Sequence, residues 1–276
     1  MSTVAILGPG LIGGSLALAL RKRRPDWKLK LWARSAASVQ RAREVFPDAT
    51  SEIAAAVEGA DLCVLCTPIS ALADLAEKIA PHLSVDAAVT DAGSVKSGVV
   101  QRVEHILGER FVGSHPMAGS EKSGLEAAQE DLFEGAACIL TPTPRSLPPA
   151  LAAIRQLWEI VGCRVVEMSA SKHDQAIARV SHLPHAVAAA LVNAISLRLP
   201  EATALAGGGY RDSTRIAASP SALWREIFLE NKDEVLAGLD DFSTMIEDLK
   251  QLIRSGDDTA LEAFLARARE TRERLS

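Results

Sequence analysis

Three glycines near the start of the chain have a spacing that suits phosphate binding. They are Gly8, Gly10 and Gly13. The first permits a tight turn, the second lets a phosphate approach the backbone, and the third lets a helix pack on a strand. The helix predicted after them, at residues 15–20, adds free N–H groups and a positive dipole end, and we assign Leu11 and Ile12 to the cofactor site with the glycines. The pattern predicts a strand, a dinucleotide loop and a helix, with a glycine-rich turn that binds nothing as the alternative.

The predicted strand at residues 28–32 ends where a dinucleotide fold reads the adenosine ribose. An enzyme that uses NAD usually has an acidic residue at this point, but this chain has Arg34 and Ser35. A guanidinium and a hydroxyl both bind a 2′-phosphate, so the local chemistry favours NADP. The alternative is that Arg34 is a solvated cation and that the cofactor is NAD.

Further polar residues lie where other predicted strands end, at the sheet edge that binds ligands in such folds. We assign Thr67, Pro68 and Ser94 to the cofactor site on this ground. His115 ends a short strand, and an imidazole there is well placed to exchange a proton with a substrate beside the nicotinamide. The alternative for His115 is a structural role, which is commoner for a lone histidine.

Strands and helices alternate through the first part of the chain. Strands are predicted at 28–32, 60–67, 87–91, 137–141 and 163–168, and helices at 38–45, 69–79, 99–107 and 150–161. This alternation predicts a parallel sheet flanked by helices. Helical patterns then occupy residues 171–199, interrupted only by Pro184, and residues 220–239, 241–254 and 258–274. The predicted fold class is α/β, with a Rossmann-type domain at residues 1–168 followed by an all-α domain at residues 169–276.

The composition argues against several functional classes. The chain has 276 residues, 48% of them hydrophobic, and a net charge of −5, without the basic excess of a nucleic-acid binder. Its one basic run, residues 21–24, is interpreted as the end of the first helix. No apolar stretch approaches the ~20 residues of a membrane span and no signal peptide precedes the fold, so we expect a cytoplasmic protein that does not contact membranes. The four cysteines are expected to be core thiols.

His182 and His185 lie three positions apart and therefore on one face of a helix. We expect no metal site there, because no third ligand occurs at helical spacing. We assign both histidines to the substrate site, with burial in the core as a second interpretation for His182. The helical region has more apolar surface than one layer covers, which predicts pairing with a second copy of the chain.

Five ordered motifs resemble those of the prephenate and arogenate dehydrogenase family of tyrosine biosynthesis. They are GPGLIGGS at 8–15, DAGSVK at 91–96, SHPMAG at 114–119, HLPH at 182–185 and TRIA at 214–217. The resemblance implies a two-domain homodimer that oxidises and decarboxylates prephenate or arogenate and transfers a hydride to NAD(P). It implies that no metal is needed.

The same resemblance implies roles for four residues. His115 matches the catalytic histidine, which takes the proton of the ring hydroxyl as hydride leaves the same carbon. Ser94 matches the serine that orients this histidine and the nicotinamide. His185 is favoured as a substrate contact, because members that take prephenate tend to carry a histidine here. Arg215 matches the arginine that holds a substrate carboxylate, a group that is costly to bury without a partner.

Five other residues are candidates for substrate binding. They are Ser120, Glu121, Gly208, Arg211 and Trp224. The first two follow the histidine loop, where they either gate it or cap a helix. Arg211 either meets a second carboxylate or pairs on the surface. Gly208 allows close approach of the backbone to the substrate, and Trp224 lines the pocket or belongs to the core.

Two interpretations from other classes stay open. The first is a two-domain dehydrogenase of the β-hydroxyacid type, whose catalytic lysine lies in a glycine-containing pattern; residues 167–206 contain no glycine. The second is a non-catalytic protein that binds NADP without turnover. We expect neither a fused chorismate mutase nor a separate regulatory domain, so any inhibition by tyrosine is expected to act at the active site.

Overall fold

The structure is a computed structural model that describes residues 2–274. Its first sheet has four strands, β1 (Thr3–Leu7), β2 (Lys28–Trp32), β3 (Leu62–Leu65) and β4 (Ala88–Asp91), in the order β2-β1-β3-β4. Every pairing in it is parallel, which confirms the predicted parallel sheet. The carboxyl ends of all four strands therefore lie at one edge, where folds of this kind bind ligands.

Three later strands form a second sheet. They are β5 (Gly113–Pro116), β6 (Ala137–Thr141) and β7 (Arg164–Glu167), in that order. β6 and β7 are parallel, whereas β5 and β6 are antiparallel, which the sequence pattern does not anticipate. The connection explains the difference, because residues 117–136 form a loop with one 3₁₀ turn and contain no α-helix. A parallel pair is usually joined by a helical crossover, which this connection lacks.

Helices are interleaved with these strands in the described chain. They are α1 (Leu11–Arg23), α2 (Ala36–Arg43), α3 (Ile53–Val57), α4 (Leu72–Ile79), α5 (Ser97–Leu107) and α6 (Pro148–Ile160). Successive residues of a strand point to opposite faces, so Ile6 and Leu7 belong to two separate apolar clusters. Helix α3 was not predicted, because five residues are too few to show a helical period.

A mainly helical segment follows β7. Its α-helices are α7 (Ala170–Ile177), α8 (Leu183–Arg198), α9 (Gly208–Thr214) and α10 (Ser221–Glu230), and a π-helical turn, Ala178–His182, joins the first two. The predicted single helix with an interruption at Pro184 is thus resolved into two helices. Pro184 lies in the first turn of α8, where its missing N–H leaves no helical hydrogen bond unmade.

The continuous helical run Ala170–Arg198 is long and apolar enough, by length and composition, to cross a membrane. No such stretch was predicted from the sequence, because the run is not uniformly apolar and contains Lys172, Asp174 and Arg179. Only 17% of its most apolar window is buried inside the protein. Leu191 and Leu197 are 37% and 79% exposed, so this part of the chain has apolar surface that the chain itself does not cover.

The described chain divides into two compact units after Asn231. The second unit contains α11 (Lys232–Ser255) and α12 (Asp258–Glu273), which pack against each other. The predicted helix break at residue 240 is wrong, since the break lies at Asn231, whose side chain is engaged in hydrogen bonds within the first unit. The predicted domain boundary at residue 168 lies between β7 and α7 and stays a prediction.

Candidate active site

The glycine loop between β1 and α1 has little room for side chains at two of its three positions. Gly8 has a φ of +106°, and a Cβ on it would lie 2.7 Å from the carbonyl oxygen of Cys66. A Cβ on Gly13 would lie 2.3 Å from the carbonyl oxygen of Gly8. Gly10 has nothing within 4 Å of that position, and no side chain caps α1. The helix N-terminus is therefore open to a phosphate.

Two adjoining cavities, of about 670 and 650 Å³, lie along this loop. Gly10, Thr67 and Pro68 line both of them, so together they form one cleft over the carboxyl ends of the strands. Leu11, Ile12, Ser94 and His115 also line the first cavity. A cleft of this size and position suits an extended dinucleotide beside a small substrate.

The second cavity contains the residues after β2. Arg34 is exposed in its wall, and Ser35 caps α2 by accepting a hydrogen bond from the amide of Ser38 at 3.1 Å. Arg41 donates to Ser38 Oγ at 3.2 Å and pairs with Glu126 at 3.4 Å. Two guanidinium groups and two hydroxyls therefore meet at this end of the cleft, where Glu126 pairs with Arg41. Asp74 and Glu226 also line the second cavity.

One side of the first cavity, which we call the sheet wall, consists of β5, α7 and the loop between β4 and α5. In this wall His115 is 7% exposed, and its Nδ1 lies 2.8 Å from Nε2 of His173. The Nδ1 of His173 in turn lies 2.8 Å from Oδ1 of Asp174. A buried imidazole–imidazole–carboxylate chain therefore leads away from the cavity.

Asp174 also fixes the start of α5. The backbone amides of Lys96 and Ser97 donate to its two carboxylate oxygens at 2.8 and 2.7 Å. The carbonyl of Asp174 accepts from Asn231 Nδ2 at 2.9 Å. Helix α7 is thereby tied to the loop that carries Ser94.

A second buried network holds β5 beside β4. Lys96 and Asp91 are fully buried and form an ion pair. Oδ1 of Asp91 accepts from the amide of Ser114 at 3.1 Å, and Ser114 Oγ accepts from Trp158 Nε1 at 3.0 Å. Because buried polar groups are costly unless they are satisfied, this network fixes the strand that carries His115.

Burial decides the protonation of this wall. It lowers the pKa of His115 well below the usual value, and the neighbouring His173 and Lys96 lower it further. Burial also lowers the pKa of His173, against the opposing effect of Asp174. Burial alone would raise the pKa of Asp174, but the hydrogen bonds from His173 and Ser97 lower it overall. Both imidazoles are therefore neutral near pH 7 and the carboxylate is ionised.

We call the opposite side of this cavity the helical wall: the π-helical turn, α8, the 3₁₀ turn Arg215–Ala218 and α10. The ring of His185 stacks on Trp224 with centroids 3.5 Å apart and planes 8° from parallel. His182 lies edge-on to the same tryptophan, and its Nδ1 is 3.2 Å from Asn231 Nδ2. Burial lowers the pKa of His185 and takes that of His182 to about 4. His182 Nε2 and His185 Nδ1 are buried without a hydrogen-bond partner in the described chain.

The predicted substrate residues fall into three groups. Ser120, Glu121, Arg215 and Trp224 line the first cavity, with Arg215 Nη1 3.1 Å from Glu121 Oε2 at its mouth. His182 and His185 lie against Trp224, outside the set that lines this cavity. Gly208 and Arg211 are exposed on α9, also outside that set.

Two family models match the chain. One, described as the prephenate dehydrogenase nucleotide-binding domain, covers residues 16–167, and the other, the prephenate dehydrogenase dimerization domain, covers residues 169–267. Together they span most of the chain. The chain belongs to the prephenate dehydrogenase family. The family resemblance of the motifs is thus confirmed, and the protein is an oxidoreductase with a nucleotide-binding α/β domain and a helical dimerisation domain.

Relatives within the family support this assignment over the full length. The cyclohexadienyl dehydrogenase of Zymomonas mobilis is 38% identical over 95% of this chain and 92% of its own. The prephenate dehydrogenase of A. aeolicus, solved in complex with hydroxyphenyl propionate and NAD+, is 38% identical, with a TM-score of 0.94 over 100% of this chain and 99% of its own. Synechocystis arogenate dehydrogenase is 32% identical, with a TM-score of 0.85 over 99% and 100%. The protein therefore has prephenate/arogenate (cyclohexadienyl) dehydrogenase activity.

Three buried residues of this family member were missed by the sequence analysis. His173 and Asp174 stand next to each other just after the last strand, and this adjacent pair was the only signal that could have drawn attention to them. Lys96 was seen as part of a motif, but its complete burial could not be read from its neighbours. His173 and Asp174 contact residues 58 and 78 positions away, whereas the side chain of Lys96 pairs with the nearby Asp91.

Proposed function

We propose that this protein catalyses the oxidative decarboxylation of prephenate, arogenate or both, with His115 as the base. The observation that carries the proposal is a buried, neutral His115 in the wall of the cavity that also contains the glycine loop. A neutral imidazole accepts a proton, and a water-poor site strengthens each polar contact with the substrate. Arg215 lines the same cavity and supplies the opposite charge for a carboxylate.

The residues of the cleft fit a nicotinamide dinucleotide. The open N-terminus of α1 and the free space at Gly10 suit a pyrophosphate, and Ser94 lies further along the cleft beside His115. A bound NAD(P)+ supplies a hydride acceptor. The protein contributes the orientation of the two partners and a place for one proton.

The proton balance assigns His115 two steps. As the hydride leaves the ring carbon that bears the hydroxyl, the imidazole takes the hydroxyl proton. The bond to the ring carboxylate then breaks, carbon dioxide leaves, and the electron pair completes the aromatic ring. The same imidazole returns its proton to the phenolic oxygen, so the reaction releases no net proton.

Contacts at the helical wall suit the side chain of the substrate. Arg215 is 63% exposed at the cavity mouth, where it pairs with Glu121 until an anion replaces that partner. Ser120 lies beside Glu121 in the same lining. His185 and His182 stand behind Trp224 with one unpartnered ring nitrogen each. We assign these groups to the keto or amino side chain and its carboxylate.

We propose NADP as the preferred cofactor, with NAD as the alternative. Arg34, Ser35, Ser38 and Arg41 meet at the end of β2, where the ribose of a dinucleotide is expected. The two cations and the two hydroxyls suit a 2′-phosphate, and no acidic side chain occupies position 34 or 35 to accept a hydrogen bond from a ribose hydroxyl.

We further propose a cytoplasmic homodimer formed through the helical region. Its exposed apolar side chains include Leu197, Leu199 and Leu205, at 79%, 53% and 86% exposure. Surface of this kind is uncommon on a monomer and common where copies pair. Gly208 and Arg211 lie outside the lining of the first cavity, and their role in substrate binding stays a prediction.

The test is an absorbance assay for reduced nicotinamide, with prephenate or arogenate supplied against NAD or NADP in all four combinations. We expect turnover with at least one acid and faster turnover with NADP. A His115→Asn protein is the negative control. If neither acid reduces either cofactor while the protein still binds NADP, the proposed reaction is wrong.

A further inference from the structure

We propose that His173 and Asp174 are positioning residues for His115: they hold the proton of its imidazole on Nδ1 and so leave Nε2 as the base that faces the cavity. The inference rests on the proposed role of His115. It assigns the orientation of the base to two residues of α7, in addition to Ser94 in the β4–α5 loop.

The carboxylate of Asp174 determines where the hydrogens lie in this set of hydrogen bonds. The carboxylate oxygens of Asp174 accept hydrogen bonds from the backbone amides of Lys96 and Ser97. Oδ1 also lies 2.8 Å from Nδ1 of His173. An ionised carboxylate only accepts hydrogen bonds. Nδ1 of His173 must therefore carry a hydrogen, because a lone pair at this distance from Oδ1 would be repelled.

The second step passes from His173 to His115. A neutral His173 with its hydrogen on Nδ1 has an unprotonated Nε2, which can only accept. Nδ1 of His115, 2.8 Å away, must then be the donor. Consequently, the lone pair of neutral His115 is on Nε2. Which nitrogen of a histidine is free is commonly set by the bond that the other nitrogen makes.

The third step concerns the free nitrogen. Nε2 of His115 has no hydrogen-bond partner within residues 2–274, and it is not a buried atom. It is therefore accessible, and His115 lines the cavity that also contains Ser94 and Arg215. A proton acceptor at this atom is open to the substrate.

The charged and titratable groups around His115 come from four elements. From α7 come His173 and Asp174, and from the β4–α5 segment come Lys96 and Asp91, which neutralise each other. His182 faces it from the π-helical turn, and Cys138 faces it from β6 with a thiol pKa that burial raises. Asp174 is thus the one unneutralised negative charge in line with the imidazole, so it supports the imidazolium that forms during turnover.

The hydrogen bonds from His115 to His173 and from His173 to Asp174 have a consequence for the rate of turnover. A histidine without a fixed partner populates both tautomers, and only the one with a free Nε2 can take the substrate proton. An imidazole that has lost its positioning partner also turns more freely. Removal of the acceptor on His173 is therefore expected to lower kcat by roughly 10–10²-fold, less than the loss of His115 itself, and to leave KM nearly unchanged.

The first experiment reads the tautomer directly and does not depend on turnover. The full-length protein is labelled with ¹⁵N-histidine, and ring nitrogens are assigned by comparison with the His115→Asn protein. We expect the His115 signals of an imidazole that is protonated on Nδ1 and unprotonated on Nε2 at neutral pH. A His115 protonated on Nε2 overturns the proposal.

The second experiment separates positioning from folding. His173→Leu removes the acceptor, whereas the amide oxygen of His173→Gln reaches about the same place as Nε2 and restores it. We expect His173→Leu to lose roughly 10–10²-fold in kcat and His173→Gln to recover most of that loss. Exposed His105 on α5 provides the matched control, since His105→Leu should keep the parent kcat.

The outcomes distinguish this inference from the proposed function. If His173→Leu binds NADP normally and keeps its kcat within about threefold, the positioning role is wrong. If His173→Leu does not fold, the His173→Gln protein and the tautomer of the unsubstituted protein decide. Failure of the unsubstituted protein to turn over either acid overturns the proposed reaction, and the tautomer measurement still decides the hydrogen-bond chain.

Discussion

The sheet wall and the helical wall of the first cavity satisfy their polar groups in different ways. In the sheet wall, His115, His173 and Asp174 are joined by two bonds of 2.8 Å, and every member of the chain is buried. In the helical wall, His182 and His185 each keep a buried ring nitrogen without a partner, and Arg215 is largely exposed. The buried groups of the sheet wall are bonded to one another, whereas the helical wall has ring nitrogens that no group of the described residues bonds.

The difference indicates a division of labour. A proton acceptor has to be held in one orientation before the substrate arrives, because misplacement of a reacting group costs rate directly. A binding surface gains from groups that the substrate itself satisfies, since an unpartnered buried nitrogen rejects a ligand that cannot bond to it. We therefore expect damage to the sheet wall to lower kcat and damage to the helical wall to raise KM.

The largest effect is expected from His115→Asn. This change removes the proton acceptor from the sheet wall but keeps a side chain that can bond to His173. We expect the rate to fall roughly 10²–10⁴-fold while the affinity for NADP stays the same. Steady-state kinetics and a fluorescence titration with NADP measure both quantities. Turnover close to that of the parent would remove His115 as the base.

The second prediction concerns the stability of the helical wall. Burial takes the pKa of His182 from 6.5 to about 4 in the folded protein, so between these values the unfolded chain binds more protons. The free energy of unfolding should thus be lower at low pH, by at most about 3 kcal/mol for this group, and should be unaffected by it above pH 6.5. Urea unfolding of parent and His182→Gln at several pH values measures the difference. Exposed His82→Gln is the control, and an equal pH dependence in parent and His182→Gln would contradict the prediction.

The third prediction tests substrate binding at the helical wall. Arg215→Ala should raise KM for the substrate by roughly 10–10²-fold with a smaller change in kcat, because the carboxylate loses its guanidinium. Arg215→Lys should recover part of the loss, since a single ammonium replaces a two-pronged contact. Arg225, which is exposed on α10 outside the cavity lining, is the matched control. A decrease in kcat without a rise in KM would contradict the role of Arg215 in substrate binding and would indicate a role in catalysis.

The smallest effect is expected away from both walls, at the adenosine end of the cleft. Arg34→Ala should lower the preference for NADP over NAD by about tenfold, and Arg34→Asp should reverse it, because a carboxylate repels the 2′-phosphate and accepts from a ribose hydroxyl. The ratio of kcat/KM for the two cofactors measures the effect. An unchanged ratio in both variants would show that Arg34 does not contact the cofactor.

Local sequence signals were sufficient for much of the fold. β2 and β6 begin and end at their predicted residues, because β2 alternates lysine with apolar residues and β6 is a short, mostly apolar run. The helix break at Asn231 could not be predicted in the same way. It depends on the bonds of that side chain to Asp174 and His182, which are 57 and 49 positions away.

The candidate site divides along the same line. The sequence by itself determined the glycine loop, the strand-end position of His115 and the family, because a turn, a strand end and an ordered motif are each encoded by adjacent residues. Only the tertiary structure decided that His115 is bonded to His173, 58 positions away, and that Lys96 is fully buried. Hydrogen-bond partners and burial follow from packing between distant segments, and packing determines in turn which nitrogen of the base is free.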